Sequence, residues 1–280
     1  MPRRRLGQHF LRDSSVARRI VDAAGISVGD TVVEIGPGNG ALTHYIVDAA
    51  SYADAPVVLV EIDPKYAARM EDKFASNPDV RVVCADARDV DFDGLPELSR
   101  GNRYKIVANL PYYAGTPIVR SFLEREHKPE SMTVMLQREV ARDMRASPGK
   151  MSLLSLAVQI HAEPKKLFDV PPAAFRPAPK VHSTVIKLVP RAEPLVASGE
   201  VDDLFKVARS AFLGRRKQLH NSLANGLGMT TDEVKEMTAA VGIDSERRPA
   251  TLSIDEWIAL MHHWRDFARS ATTVINSRLR

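Results

Sequence analysis

The sequence predicts an α/β fold, an open sheet with helices between its strands, followed by a segment that is helical throughout. Three observations predict it. Residues 31–35 are rich in β-branched side chains and run directly into Gly36-Pro37-Gly38-Asn39-Gly40 and a helical stretch over 41–50, giving strand, glycine turn and helix. Apolar runs at 56–61, 80–84, 104–108 and 131–137 then alternate with helical patterns, the signature of strands joined by crossovers. Beyond Gly199 only helical spacing remains, over 201–213, 219–227, 231–240 and 255–269.

Composition bounds the class. The chain has 280 residues, 44% hydrophobic and 26% charged, ordinary values for a globular protein and enough for a large domain plus a small one. Residues 190–199, with two prolines and no periodicity, read as a linker, so the expected domains are 1–190 and 191–280. A net charge of +4 suits a nucleic-acid partner without demanding one. The single cysteine, Cys84, excludes an internal disulfide, points to a reducing, cytoplasmic home, and reads as a small core residue. Arg3, Arg4 and Arg5 are followed by no apolar region, so a signal peptide is rejected, and no apolar run reaches the length of a membrane span.

Taken in order, Asp13 or Ser14 is positioned to cap a helix through Val16, Ile20 and Val21. The glycine turn at 36–40 allows close backbone approach to a ligand, with helix N–H groups facing it. Its spacing is G-x-G-x-G, not the dinucleotide fingerprint. Glu61 ends the second strand, where an acid typically bonds ribose hydroxyls, although it also suits a solvent-facing strand end. Asp63 and Pro64 follow as N-cap and first helical residue. Asp86 follows the third strand and is placed to accept a bond from an adenine amino group.

The fourth strand leads into Asn109-Leu110-Pro111-Tyr112. An amide with two donors and an acceptor, a carbonyl held extended before proline, and a flat aromatic suit a planar amino group and its ring. The same tetrapeptide also suits a proline loop with a buried tyrosine. What favours the ligand reading is the row: Gly36, Glu61, Asp86 and Asn109 occupy four consecutive strand tips, the outline of an adenosine-shaped cofactor across the sheet edge. Short strands at 166–170 and 183–189 flank a proline-stiffened loop with Phe175, Arg176 and Lys180, which suits base stacking and phosphate contact or a surface connector with Phe175 in the core. Arg215, Arg216 and Lys217 form a compact basic turn.

These residues carry a resemblance. Leu6-Gly7-Gln8-His9-Phe10-Leu11, Val33-Glu34-Ile35-Gly36-Pro37-Gly38, Glu61-Ile62-Asp63, Asp86-Ala87, Asn109-Leu110-Pro111-Tyr112, Leu136-Gln137-Arg138-Glu139-Val140, residues 175–181 and Arg215-Arg216-Lys217 stand in order over nearly the whole chain. The chain resembles the KsgA family of bacterial small-subunit ribosomal RNA adenine dimethyltransferases and, more distantly, the Erm methyltransferases of large-subunit RNA. The resemblance implies a Rossmann-like class I methyltransferase with a seven-stranded mixed sheet, its last strand antiparallel, helices on both faces, and a small all-α C-terminal domain. It implies S-adenosyl-L-methionine as cofactor, S-adenosyl-L-homocysteine as product, and no metal.

Carried over by motif, His9, Leu11, Gly36, Gly38, Glu61, Ile62, Asp86, Ala87 and Asn109 hold the cofactor. Asn109, Leu110, Pro111, Tyr112 and Phe175 form the catalytic pocket. Arg176, Lys180, Arg215, Arg216 and Lys217 contact RNA. The implied substrate is two adjacent adenosines in the 3′-terminal hairpin of 16S rRNA in the 30S subunit, the implied state a cytoplasmic monomer with no membrane partner. Erm-type action on 23S rRNA, an assembly factor acting mainly by binding, and a DNA amino-methyltransferase remain alternatives. Two departures stand out: His9 replaces the family's usual asparagine, and Met151-Ser152-Leu153-Leu154-Ser155 replaces Tyr-Gly-Arg-Leu-Ser.

Overall fold

The computed structural model describes residues 9–99, 102–214 and 216–278, with side chains as far as 267. The chain opens with the short strand β1 (Phe10–Leu11) and helix α1 (Ser14–Ala24). Strand–helix alternation follows: β2 (Asp30–Ile35), α2 (Thr43–Ser51), β3 (Val57–Glu61), α3 (Pro64–Phe74), β4 (Val80–Cys84), β5 (Arg103–Asn109), α4 (Gly115–Leu123), β6 (Ser131–Gln137) and α5 (Arg138–Met144). Next come α6 (Leu153–Gln159), β7 (Ala162–Val170), β8 (Phe175–Arg176) and β9 (Ser183–Pro190). Four helices complete the chain: α7 (Val201–Phe212), α8 (Leu219–Leu227), α9 (Thr231–Ala240) and α10 (Ile254–Arg278).

Local chemistry explains the boundaries. Asp13 caps α1, accepting from the Ser15 and Val16 N–H groups, and Gly25 ends it in the left-handed conformation. Asp63 caps α3 ahead of Pro64. Thr230 and Glu233 form a reciprocal capping box on α9. The segment 151–155 is a second such box: Ser152 caps α6 and Ser155 reaches back to its N–H.

The sheet runs in the order β4-β3-β2-β5-β6-β9-β7. Pairs among β2 to β6 are parallel, whereas β9 is antiparallel to both β6 and β7. This is the expected seven-stranded mixed sheet with an antiparallel last strand. Parallel strands buried on both faces require near-continuous apolar runs, and β2, β3 and β5 show them. A buried ion pair at the other end of β2 fixes α1: Lys105 Nζ bonds Asp30 Oδ2 and the Gly25 carbonyl, each at 2.7 Å, and Lys187 Nζ reaches the Ala23 carbonyl at 3.1 Å.

Two expectations change. Cys84 is exposed, because β4 is the edge of the sheet. The strand expected over 166–170 extends back to Ala162, with an irregularity between Lys166 and Phe168; Pro164 is tolerated because β7 is the other edge.

The chain divides into two compact units, one ending at Arg142 and resuming over Ala162–Ala192, the other comprising Asp143–His161 and the chain from Glu193. A single boundary after residue 190 therefore differs from this division: α6 belongs with the helical unit, where Leu156, Ala157 and Ile160 join a core with Leu204, Trp257 and Leu260. No linear cut finds an excursion of this kind, since α6 lies between two strand-bearing segments. A separate two-stranded ribbon is also unmarked by any sequence pattern: β1 and β8 pair antiparallel, Phe10 opposite Arg176 and Leu11 opposite Phe175.

Candidate active site

The tips of β2, β3, β4 and β5 open onto one cleft. Gly36 and Gly38, Glu61 and Ile62, Asp86 and Ala87, and Asn109, Leu110, Pro111 and Tyr112 all line it, and the β1–β8 ribbon adds His9, Leu11 and Phe175. All the residues expected to hold cofactor or target thus meet in one place, although they come from six separate stretches of chain.

The glycine turn is shaped by its neighbours. Gly36, Gly38 and Gly40 all have positive φ, and a Cβ on Gly38 would come 3.2 Å from the Phe10 ring. Any side chain there would be strained and would push against the ribbon. The Glu61 carboxylate, 4% exposed, ties the turn to β3: Oε2 accepts from the Gly38 N–H at 3.0 Å and Oε1 from the Asp63 N–H at 2.9 Å. Each oxygen retains an acceptor site, which fits a pair of vicinal hydroxyls.

Asp86 is held by a residue that sequence reasoning missed. Arg88 donates from Nε to Oδ1 at 2.9 Å and from Nη2 to Oδ2 at 2.6 Å, and its own N–H also bonds Oδ1. This fork holds the Asp86 carboxyl below the usual carboxylate range. One acceptor site is left for an amino group. The signal was an acid two residues before an arginine, too common to single out.

A second omission is Glu34. It sits on β2 in a run that is otherwise apolar, is 1% exposed, and lines the cleft. Its Oε2 is buried without a hydrogen-bond partner. Burial pushes its pKa up to about 8, only partly opposed by the Thr43 hydroxyl and Lys73. A charged residue inside a buried strand was the available clue.

After β5, the Leu110 N–H bonds the Met135 carbonyl at 3.2 Å, and the Pro111 carbonyl accepts from Ala114 and Gly115 to start α4. The Asn109 carboxamide lines the cleft and bonds no described side chain. Tyr112 is fixed at both ends: its hydroxyl lies 2.9 Å from Ser183 Oγ, and its ring is 5.7 Å from the His9 ring. His9 Nδ1 in turn donates to the Pro177 carbonyl at 2.7 Å. Phe175, 5% exposed, is part of the core and also part of the cleft wall.

Arg176 and Lys180 are exposed in the first unit, and Arg216 and Lys217 in the second. The Lys217 N–H bonds the Gly214 carbonyl at 2.7 Å, and the Ser222 hydroxyl also reaches that carbonyl. Arg215 and the motif residues Leu6, Gly7 and Gln8 lie outside the described residues. Among the described residues no cluster of metal-ligating side chains occurs, and no helix is long and apolar enough to cross a membrane.

An antiparallel strand inserted between β6 and β7 separates this sheet from the all-parallel dinucleotide-binding type, while the cleft stays at the tips of the parallel strands; fold and site together define a Rossmann-like methyltransferase. The profile described as "Ribosomal RNA adenine dimethylase" matches residues 2–265, and the chain belongs to that family. Among curated relatives, the ribosomal RNA small subunit methyltransferase A of Dehalococcoides mccartyi strain CBDB1 is 41% identical over 256 residues, covering 91% of this chain and 86% of that one. Its counterpart in Alkaliphilus oremlandii is 40% identical over 262 residues, covering 92% and 90%. The crystal structure of the 23S rRNA methyltransferase ErmE superposes with a TM-score of 0.69 at 27% identity, covering 91% of this chain and 98% of that one. A dimethyladenosine transferase from Plasmodium falciparum gives a TM-score of 0.76 at 21% identity, covering 92% and 98%, a likeness of fold.

Proposed function

We propose that the chain transfers methyl groups from S-adenosyl-L-methionine to N6 of two adjacent adenosines in the 3′-terminal hairpin of 16S rRNA, within the small ribosomal subunit and in the cytoplasm. The observation that carries this reading is the single cleft in which the Glu61 carboxylate and the Asn109 amide are brought together under the β1–β8 ribbon. Near-full-length identity of about 40% to small-subunit methyltransferases supports the choice of RNA.

The residues fit the cofactor on physical grounds: Glu61 keeps acceptors for ribose hydroxyls, Asp86 keeps one for the adenine amine, and Gly38 allows backbone approach that a Cβ would obstruct. When bound, the cofactor supplies a methyl carbon activated by a sulfonium. Everything else falls to the chain. The exocyclic amine of adenine is a weak nucleophile because its lone pair is delocalised into the ring. The Asn109 side-chain oxygen and the Leu110 carbonyl accept its two hydrogens, favour a tetrahedral nitrogen and relieve the positive charge that develops on it. Tyr112 and Phe175 flank the base once it has left its stack. Orientation also supplies much of the rate, worth about 7–11 kcal/mol in favourable systems. Exposed Arg176, Lys180, Arg216 and Lys217 meet phosphates.

The likeness to ErmE favours one competing reading, action on 23S rRNA. Undermethylated small subunits and free large-subunit RNA are incubated with the protein and labelled cofactor, and modified sites are mapped by primer extension. Stops at two adjacent adenosines of the small-subunit RNA are expected. A product confined to large-subunit RNA would overturn the choice in favour of the Erm-type reading.

A further inference from the structure

Glu34 is the least settled group in the cleft. Its carboxyl is fully enclosed, one oxygen lacks any partner, and the residue lines the wall against which the cofactor would lie. The charged and polar groups around it come from each packed element. β3 presents the Glu61 carboxylate, α3 presents Lys73, and α2 presents the Thr43 hydroxyl, which favours the carboxylate. On β5 the residue in register with Glu34 is Val107, which is apolar. A buried carboxyl beside a second carboxylate favours the neutral acid, and a further positive charge placed beside it opposes that preference.

We infer that Glu34 is a charge-sensing, specificity-determining residue that gives up a proton when a sulfonium occupies the cleft and keeps it when the neutral thioether product does. The inference rests on the cofactor reading above. The two ligands share adenosine, amino and carboxylate groups, and they differ by one methyl and one positive charge. Glu61 and Asp86 contact parts common to both and cannot tell them apart. Glu34, enclosed and with one oxygen unpaired, responds to the charge itself. Seating the sulfonium favours the carboxylate, and the proton leaves to solvent. After methyl transfer the charge is gone, the carboxylate is again disfavoured, and it takes a proton back from solvent. Discrimination against product therefore grows as pH rises and the cost of deprotonating Glu34 falls.

The test is calorimetric titration of the full chain with S-adenosyl-L-methionine and with S-adenosyl-L-homocysteine, in two buffers of different ionisation enthalpy, for the parent and for Glu34→Gln. The ligands' own titrations are common to both proteins and cancel in the comparison. The parent is expected to release about half a proton more than Glu34→Gln on binding the sulfonium at neutral pH, and little more on binding the thioether. The parent's preference for sulfonium over thioether should rise about threefold or more from pH 6.5 to 8.5, relative to Glu34→Gln. Should Glu34→Gln not fold, Thr43→Val serves instead. It removes a group that favours the carboxylate, so the pH at which the preference rises should move upward. Equal proton counts for the two ligands, or a preference that does not vary with pH, would overturn the role of Glu34 while leaving the cofactor reading intact. If neither ligand binds the parent, the cofactor reading falls and this inference with it.

Discussion

The proposed function gives Glu61 and Asn109 different roles in the cleft, and single substitutions separate them. Glu61 spans the Gly38 and Asp63 N–H groups and lines the cleft. Its replacement by alanine is expected to weaken S-adenosyl-L-homocysteine binding about 10- to 100-fold, the cost of losing hydrogen bonds to a charged acceptor. Asn109 lines the same cleft with its carboxamide, so Asn109→Ala should mainly lower turnover, with kcat falling by about 100- to 1000-fold and cofactor affinity falling less than in Glu61→Ala. Calorimetry and single-turnover methylation check the two, and unchanged affinity in Glu61→Ala would contradict its assignment. Both residues are legible in the sequence because each is a polar group at the end of an apolar strand. Arg88 and Glu34 are not legible in the same way. Arg88 matters only through its side-chain fork on Asp86, and Glu34 only because its strand turns out to be covered on both faces.

Strands, helices and their caps are largely legible, since buried parallel strands need unbroken apolar runs and caps need particular side chains. The β1–β8 ribbon is not, because its two short segments lack the length that makes periodicity visible. Its fit against the glycine turn gives a prediction. Gly38→Ala should cost about 1–2 kcal/mol from the left-handed backbone alone, more from contact with Phe10, and should lower cofactor affinity as well. Urea midpoints with and without ligand measure both effects.

The anchor below α1 gives another. Burial raises the Asp30 pKa, but bonds from Lys105 and Ser27 outweigh it, so the carboxyl lies below its ordinary value. A carboxylate of that kind stabilises the fold above its unfolded pKa and ceases to do so as pH falls through its folded one. Asp30→Asn should therefore cost about 3–5 kcal/mol at pH 7, because Lys105 loses its buried partner. The gap between variant and parent should narrow below about pH 4. A constant gap from pH 7 to pH 3 would remove the ion pair from the account.

At the scale of the whole chain, two units carry separate basic surfaces, and a family profile spans both. Replacing Arg215, Arg216 and Lys217 together with alanine should weaken RNA binding and flatten its salt dependence, by about 0.7–0.9 in the log–log slope for each phosphate no longer neutralised. Filter binding at several salt concentrations checks this, and equal slopes would take that turn out of the interface. The division into units is only partly legible, because the linker at 190–199 marks one crossing and nothing in composition marks the excursion through α6.

The bond from His9 to Pro177 joins positions 168 residues apart. Synthesis proceeds from the N-terminus, so the glycine turn and its first strands emerge long before the partner of β1 exists. Between those two points the nascent chain carries the strand tips of the cleft without the β1–β8 ribbon. Ligand present at that stage would meet a half-built site and gain little. On the proposed cofactor reading, the cleft can close over a methyl donor only after the loop around Phe175 has left the exit tunnel, well after the glycine turn has emerged.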